Sequence, residues 1–439
     1  MNRDVIRRWK RDTHPTARPL STRAIVLWAV FVLGVAVTSA AVLWWLYRGA
    51  EPRVQLDAIR TASAITVGAG GAVALLLAAR RQRSTEETLE HQRQTLEHQR
   101  EVAAATERDA AEQRITELYT RAVDQLGAEK APVRLGGLHA LERLAQNTPA
   151  QRQTIVDVIC SYLRMPFASP GDQAPGEDAP EDAHSRYEQR RQELQVRLTA
   201  QRILSAHLKP AAAEVFWADI DLDLTEAHLH ELDLRVCRVR TVQFSGAEFA
   251  GYARFEGAEF AGGYAAFGRA KFAEYAAFGG AEFAGEAAFG GAEFAEVAGF
   301  DGAKFAGEAT FGGAKFNGRA GFDGAKFTGY AEFREAEFNG GAAFGGRGAA
   351  LGGGAAFAGY ARFDGAKFNG RTAFDGAKFT GNPGFHGARV APNSRPVVLP
   401  TGWTTRTAQP AEGEEEDWLY VVRDEDSSEQ PAEASDGPA

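Results

Sequence analysis

Large apolar residues recur at short, regular intervals over the second half of the chain, with small and polar residues between them. From Phe244 to Phe385 the large residue is phenylalanine, at spacings of five and six, and 25 of the chain's 28 Phe lie there. Ala stands two positions before the Phe in 22 of these 25 cases, and Gly two positions after it in 21. This register predicts one structural unit stacked on itself many times.

The short period predicts strands rather than helices, because five or six residues cannot hold a helix and its return. On an extended strand the Phe and the Ala at i−2 point to the same side, so large and small side chains interdigitate inside a narrow tube. Gly at i+2 is predicted to take the corner, where a positive φ is needed. The simplest closed solution is a four-sided β-helix. Its outward positions carry charged and polar groups such as Glu248, Lys271, Asp301, Arg319 and Lys326.

Two intervals break the alternation of five and six, Phe260–Phe267 and Phe344–Phe357. In the second interval, Leu351 with Ala349 at i−2 is predicted to fill a missing rung. The alternative for the whole region is a disordered low-complexity segment, which a fixed register of one buried residue type disfavours.

A small residue at i−2 with Leu or Phe at the centre resembles the pattern of the pentapeptide-repeat proteins. The pattern continues upstream to Leu224 at strict intervals of five, with Ala227 and Cys237 at i−2 positions. The resemblance implies a right-handed quadrilateral β-helix, here residues 214–388. Thirty rungs, or 7.5 coils of four, predict a rod of roughly 36 Å. The ladder residues singled out are Leu224, Leu229, Leu234, Phe244, Phe249, Phe255, Phe260, Phe289, Phe322 and Phe363.

The sequence departs from the family pattern in its alternation of five and six, which makes coils of 22 rather than 20 residues. This leaves the corner geometry and the number of sides open.

Two uncharged apolar runs near the N-terminus, residues 24–46 and 61–79, are each predicted to cross a lipid bilayer as a helix. Trp44, Trp45 and Tyr47 at the end of the first run are typical of an interfacial belt. A cleaved signal peptide fits less well, because the run is too long and no small-residue cleavage motif follows it cleanly.

The second apolar run has small residues on one face. Ala64, Gly68 and Ala72 lie four apart, which predicts a face on which the first helix packs closely. A soluble apolar helix is the alternative for this run.

The basic residues around the two runs predict their orientation. Residues 1–23 hold seven Arg/Lys, Arg80 and Arg81 follow the second run, and the external loop of residues 47–60 mixes both signs of charge. The positive-inside rule then places both termini in the cytoplasm. We expect a multi-pass protein of the bacterial cell membrane.

A polar helical stalk is predicted for residues 80–113. Leu89, Leu96, Ala103 and Ala110 share one heptad position, while the partner seam positions hold Gln, Arg or Glu. A long solvated helix fits this pattern, and a coiled coil that would make a homo-oligomer stays open.

Residues 114–165 are predicted to form a small helical domain, in which Thr148 caps a helix that has Pro149 in its first turn. Its segment YTRAVDQLGAEKAPVRLGGLHALERLAQNTP resembles the juxtamembrane module of a group of bacterial membrane-anchored pentapeptide-repeat proteins. A Pro/acid-rich linker, residues 166–185, and a capping helix, residues 186–210, complete the approach to the β-helix. Phe216 and Trp217 are predicted to join that cap, since an exposed β end must be covered.

Residues 389–439 are predicted to form a C-terminal cap, through VVLPTGW, and an acidic disordered tail. Residues 412–436 hold 11 acidic residues and one basic residue, Arg423. The alternative to a solubilising tail is a docking motif at Trp418, Leu419 and Tyr420 that folds onto a partner.

The sequence offers no recognised catalytic or metal-binding motif. The nine His do not cluster at metal spacings, and GxSxG, HExxH and phosphate-loop patterns do not occur. The two cysteines, Cys160 and Cys237, lie far apart, which indicates neither a disulfide framework nor a nucleophile. We therefore expect a non-enzymatic protein without a cofactor or metal.

Three functions remain open. The first is a membrane-anchored scaffold that presents a rigid cytoplasmic rod to an unknown protein. The second follows from the resemblance, since some pentapeptide-repeat proteins imitate B-form DNA and bind DNA gyrase. Residues 244–385 hold 16 acidic and 13 basic residues, a mixture that disfavours mimicry, and no direct nucleic-acid binding is expected. The third is a passive structural or oligomerising role.

Overall fold

The computed structural model describes residues 22–49, 51–171, 173–346, 353–392, 397–407 and 418–425. The chain divides into two compact units, Met1–Ala111 and Glu112–Ala439.

The first unit contains two helices that are long and apolar enough to cross a membrane, judged by length and composition. Helix α1 spans Thr22–Tyr47, and α2 begins at Pro52. Pro52 is tolerated there because the first turn of a helix leaves its backbone N–H groups without intrahelical acceptors. The apolar windows are Val26–Tyr47 and Pro52–Gln82.

Helix α2 continues without interruption to Leu126, a length of 75 residues. The helix boundaries in the structure therefore differ from those predicted from the sequence. Most of the predicted external loop 47–60 is helical, and the second apolar run, the stalk and the start of the helical domain are one element. The cause is local, because no Gly or Pro occurs between Gly71 and Gly127 to end the helix.

The predicted close-packing face of the second apolar run is not used. Ala64, Gly68 and Ala72 are all exposed, and a Cβ added at Gly68 would meet nothing within 4 Å. The less exposed positions of this run lie elsewhere on the helix, at Ala62, Ala69 and Val73.

The second unit begins with helices that surround a shared apolar core. They are α3 (Ala131–Asn147), a 3₁₀ turn (Pro149–Gln151), α4 (Arg152–Arg164) and α5 (Glu181–His207). Pro149 opens the 3₁₀ turn, but Thr148 makes no side-chain hydrogen bond as a cap, in contrast to the prediction. Gly137 of α3 lies against the end of α2, where a Cβ would come within 2.7 Å of the Ala122 carbonyl oxygen.

The β-helix has four faces, each a parallel sheet of very short strands. Face A comprises Asp221–Asp223, Thr241–Gln243, Tyr264–Ala266, Glu286–Ala288, Ala309–Thr310, Ala331–Glu332 and Ala361–Arg362. Face B comprises His228–His230, Glu248–Ala250, Lys271–Phe272, Glu293–Phe294, Lys315–Phe316, Glu337–Phe338, Lys367–Phe368 and Arg389–Val390. Face C comprises Ala253–Arg254, Ala276–Ala277, Ala298–Gly299, Ala320–Gly321, Ala342–Ala343 and Thr372–Ala373. Face D comprises Arg238–Val239, Glu259–Phe260, Glu282–Phe283, Lys304–Phe305, Lys326–Phe327, Ala356–Phe357 and Lys378–Phe379.

The 25 regularly spaced phenylalanines form four columns inside the tube, one for each face. Rings in successive coils lie parallel, as in Phe294 and Phe316, whose centroids are 4.9 Å apart with an interplanar angle of 0°. Rings of columns A and C meet edge to face, as in Phe289 and Phe300 at 5.3 Å and 88°. Both are favoured aromatic geometries, so every ring gains from neighbours within and between columns. The four-sided β-helix expected from the sequence is confirmed.

The Phe344–Phe357 interval, of which residues 347–352 lie outside the described part of the chain, joins two successive rungs. Phe327 stacks directly on Phe357, with ring centroids 4.7 Å apart, so no rung is missing between these coils. The Ala355 amide donates to the Phe344 carbonyl oxygen at 2.7 Å, which brings the two described ends of this interval together. The predicted rung residue, Leu351, lies outside the described residues, and the rung that follows Phe327 on face D is Phe357.

The glycines at i+2 serve two different purposes. In the five-residue intervals they stand at corners with positive φ, as does Gly313 at 64°. In most six-residue intervals they stand where two coils approach closely: a Cβ at Gly318 would lie 2.3 Å from the Glu296 carbonyl oxygen. The sequence-based argument from positive φ therefore holds for the first group only.

Candidate interaction surfaces and ends of the β-helix

The N-terminal end of the β-helix is covered by α4, α5 and the residue that follows α5. The Gln201 side-chain amide donates to the His230 carbonyl oxygen at 2.7 Å and accepts from the His230 N–H at 3.2 Å. Gln153 makes the same pair of hydrogen bonds with Asp221, at 3.0 and 2.9 Å. Each glutamine thus replaces the backbone of a missing strand on its face.

The other two faces are covered by single contacts. The Ser205 hydroxyl donates to the Asp233 carbonyl oxygen on face C, and the Arg238 N–H on face D donates to the Leu208 carbonyl oxygen. All four edges of the first coil therefore have a partner in the helical region, which satisfies groups that would otherwise be open to strand pairing.

The helical cap is larger than the single helix predicted from the sequence. Trp217 is fully buried, stacks on His207 at 4.0 Å and donates its indole N–H to the Gln146 side chain of α3. His207 also contacts Glu142 of α3 at 2.9 Å. The domain predicted at residues 114–165 is thus part of one continuous core with the β-helix.

The segment Trp418–Tyr420 lies against this chain's own β-helix. Residues Leu419–Arg423 form a strand that pairs antiparallel with Arg389–Val390 of face B and with Trp403–Thr407. This hairpin contradicts a disordered tail for residues 418–423, and it places Leu419 and Tyr420 in the C-terminal cap. Val421 of this strand is buried. The apolar and β-branched residues of the segment LYVVR favour a strand with one side chain directed into the core.

Face B carries a ladder of alternating charge. Successive outward residues are Glu248, Lys271, Glu293, Lys315, Glu337 and Lys367. Lys271 bonds to Glu248 at 3.0 Å and Lys367 to Glu337 at 2.9 Å. Opposite charges therefore pair between coils, and the ladder neutralises itself.

Face D separates its charges along the rod. Glu259 pairs in register with Glu282, and Lys304 with Lys326, so like charges are neighbours at two steps. Glu282 bonds to Lys304 at 2.5 Å where the two blocks meet. Within the part of the chain that the structure describes, Lys326 and Lys378 have no carboxylate within ion-pair distance.

Face C is flat, because its outward residues in the middle coils are Ala277, Gly299, Gly321 and Ala343. Asp301 lies over this face: a Cβ at Gly321 would come within 2.8 Å of its Oδ1, which also accepts the Asp323 N–H at 3.0 Å. Burial and the charge of Asp301 raise the pKa of Asp323.

The ladder residues singled out from the sequence all lie in the core. Each of the ten is at most 2 % exposed, which places them among the columns described above. Sequence reasoning missed Gln153 and Gln201, whose partners lie 68 and 29 residues away along the chain.

The cysteines are poorly placed for nucleophilic chemistry. Burial raises the pKa of both the Cys160 and the Cys237 thiol to about 12, which keeps each thiol protonated at neutral pH. His228 contacts Glu248 at 3.0 Å, and His230 contacts Ser169 at 3.3 Å. Among the described residues no group of three or more His, Cys, Asp or Glu could hold a metal ion.

Comparison with protein families identifies the repeat. Residues 300–346 match the model for pentapeptide repeats, in nine copies. Neither the curated proteins nor the solved structures gave a match. The matched residues belong to the central coils, and the same columns of buried side chains extend from Leu224 to Phe385 on both sides of them. The β-helix of this chain is therefore built from pentapeptide repeats.

Proposed function

We propose that this protein is a membrane-anchored scaffold that presents its β-helix to a protein partner on the cytoplasmic side. The two apolar helices, joined by a short connection and flanked by basic residues, support anchoring with both termini in the cytoplasm. The chain would then belong to the bacterial membrane-anchored group of pentapeptide-repeat proteins.

Face D is the observation that carries the scaffold proposal. Like charges directly opposite one another on neighbouring strands destabilise a sheet. Glu259 and Glu282 each also contact an opposite charge, Arg238 at 3.5 Å and Lys304 at 2.5 Å. Lys326 has only Lys304 and Ala356 as its neighbours in register, so its charge gains no favourable cross-strand pair, unlike the lysines of face B. A partner with an acidic patch facing Lys326 would offset its repulsion with Lys304, and the same patch would reach Lys378, whose neighbour in register is Ala356. The mixed charges of faces B and D do not favour imitation of DNA.

Proximity labelling from a C-terminal tag in native membranes tests this proposal. The variant Lys326→Ala/Lys378→Ala is expected to lose specific labelled neighbours. The matched variant Lys271→Ala/Lys315→Ala on face B is expected to keep them. Both should fold, since exposed substitutions change stability by about 0.5 kcal/mol or less per site.

Protease protection of the same tag checks the topology. Digestion in inside-out vesicles and protection in right-side-out vesicles are expected. A tag digested only from the outer face would refute the cytoplasmic placement, and identical neighbours for both double variants would refute a role for face D.

A further inference from the structure

A cleft of about 1210 Å³ lies at the C-terminal end of the β-helix, between the last coil of face A and the capping hairpin. Its walls hold the arginines Arg362, Arg406 and Arg423 and the aromatic residues Tyr360, Trp403 and Tyr420. The cleft is separate from the charged blocks of face D.

The floor of the cleft is the backbone of residues 384–387, which follows the last strand of face A and bridges to that strand at Gly384. Lower on face A, the Phe363 and Gly365 N–H groups donate to the carbonyl oxygens of the next coil, at Gly384 and His386. The equivalent groups in the last coil are the N–H groups of Phe385 and Gly387. Within the described residues neither has a hydrogen-bond acceptor.

Faces B and C have the hydrogen-bond partners that the last coil of face A lacks among the described residues. On face C, the Phe374 N–H donates to the Val398 carbonyl oxygen at 2.8 Å. On face B, the capping hairpin pairs with Arg389–Val390. Face A thus ends with two N–H donors, at Phe385 and at Gly387, where the chain turns with a φ of 69°. One coil earlier the equivalent donors, Phe363 and Gly365, pair with two carbonyl oxygens that are also two residues apart, so an added peptide would supply alternate carbonyl oxygens.

The charged side chains of the cleft indicate what kind of ligand it would bind. Among the described residues that line the cleft there are three arginines and one carboxylate, Asp364, in a chain whose net charge is −9. Asp364 is already engaged, since it accepts the His386 N–H at 2.9 Å and lies 3.6 Å from Arg362. Arg423 lies over Trp403 at 5.5 Å, which holds its guanidinium beside the cleft.

We propose that this cleft binds an acidic peptide in extended conformation, which adds a strand to face A. The peptide carbonyl oxygens accept from Phe385 and Gly387, and its carboxylates lie against Arg362 and Arg423. Backbone pairing supplies the alignment, and the arginines supply the preference for acidic side chains.

The test uses the full-length chain in detergent and a fluorescent peptide of alternating Glu and Val. Fluorescence anisotropy should show binding of this peptide and little binding of the Lys/Val counterpart. The variant Arg362→Glu/Arg423→Glu should weaken binding about tenfold or more. Lys326→Glu on face D, a matched reversal away from the cleft, should change the affinity less than about twofold.

Hydrogen exchange on the unmodified protein tests the strand pairing without relying on a variant. The Phe385 and Gly387 amides should exchange more slowly when the Glu/Val peptide is present. Unchanged exchange at both amides would overturn strand addition. Equal affinity for the Lys/Val peptide, or for a single-stranded oligonucleotide, would overturn the acidic-peptide assignment.

Discussion

Gln201 holds both backbone polar groups of His230, with its side-chain nitrogen 2.7 Å from the carbonyl oxygen and its side-chain oxygen 3.2 Å from the amide nitrogen. A primary amide has one donor and one acceptor side, so it can stand in for the peptide group of a neighbouring strand. This arrangement allows a helix to terminate a β-helix without leaving an unpaired edge, and Gln153 repeats it at Asp221.

Replacing Gln201 with Glu keeps the shape of the side chain and removes its donor. The His230 carbonyl oxygen would then face a carboxylate oxygen, and we expect the free energy of unfolding to fall by about 1–3 kcal/mol. Urea denaturation of the full-length chain in detergent measures this loss. Gln195→Glu, at an exposed position of the same helix, is the matched control and should leave stability nearly unchanged. Equal loss in both variants would contradict the capping role.

The two kinds of glycine predict opposite responses to asparagine. At Gly313 the φ is 64° and a Cβ would meet nothing within 4 Å, so Asn, which adopts this conformation at modest cost, should be tolerated. At Gly318 any Cβ would lie 2.3 Å from a backbone oxygen of the coil below.

Gly318→Asn should therefore cost several times more stability than Gly313→Asn, and Gly318→Ala should be as damaging as Gly318→Asn. Thermal denaturation of the three variants checks this order. Similar losses at Gly313 and Gly318 would show that the close approach of the two coils at Gly318 does not set the cost of a side chain there.

Sequence alone predicts the inner side of this molecule far better than its ends. The columns of Phe follow from spacing, because side chains alternate along a strand and every coil repeats the last. The helical cap does not follow, since Gln201 is one glutamine among several on α5 and only the folded chain brings it to His230. The strand Leu419–Arg423 was not predicted because acidic residues flank it on both sides, which is typical of a disordered tail. Its own sequence, LYVVR, nevertheless has the composition of a strand.

The Phe columns should be most sensitive at their centre. Phe300 is fully buried, with Phe278 and Phe322 stacked at 4.8 and 5.0 Å on its two sides. Phe300→Ala removes a ring from a packed column and should cost about 3–5 kcal/mol. Phe379 is only partly buried in the last rung of face D, so Phe379→Ala should cost clearly less. Urea unfolding of both variants measures the difference, and equal costs would mean that the last rung is packed as tightly as the centre.

The stacked carboxylates of Asp301 and Asp323 predict a pH-dependent gain in stability from one substitution. Burial, then the charges of Asp301 and Asp375, raise the pKa of Asp323, although Arg319 opposes them. An acid whose pKa is raised in the folded state favours folding while it is protonated. That contribution is present below the unfolded pKa of about 3.9 and is lost as the pH rises through the higher, folded pKa. Asp323→Asn should therefore be more stable than the original chain at pH 7.

The gain from Asp323→Asn should shrink as the pH falls towards 3, which urea denaturation across this range would show. Asp221 gives a control of opposite sign, because its hydrogen bonds with Arg240 outweigh burial and lower the pKa of its carboxyl. Its contribution to stability is present at neutral pH and is lost as the pH falls through the folded pKa. Asp221→Asn should accordingly be less stable than the original chain at pH 7, with a deficit that closes in acid. A gain for Asp323→Asn that stayed constant with pH would show that the charge of Asp323 does not oppose folding.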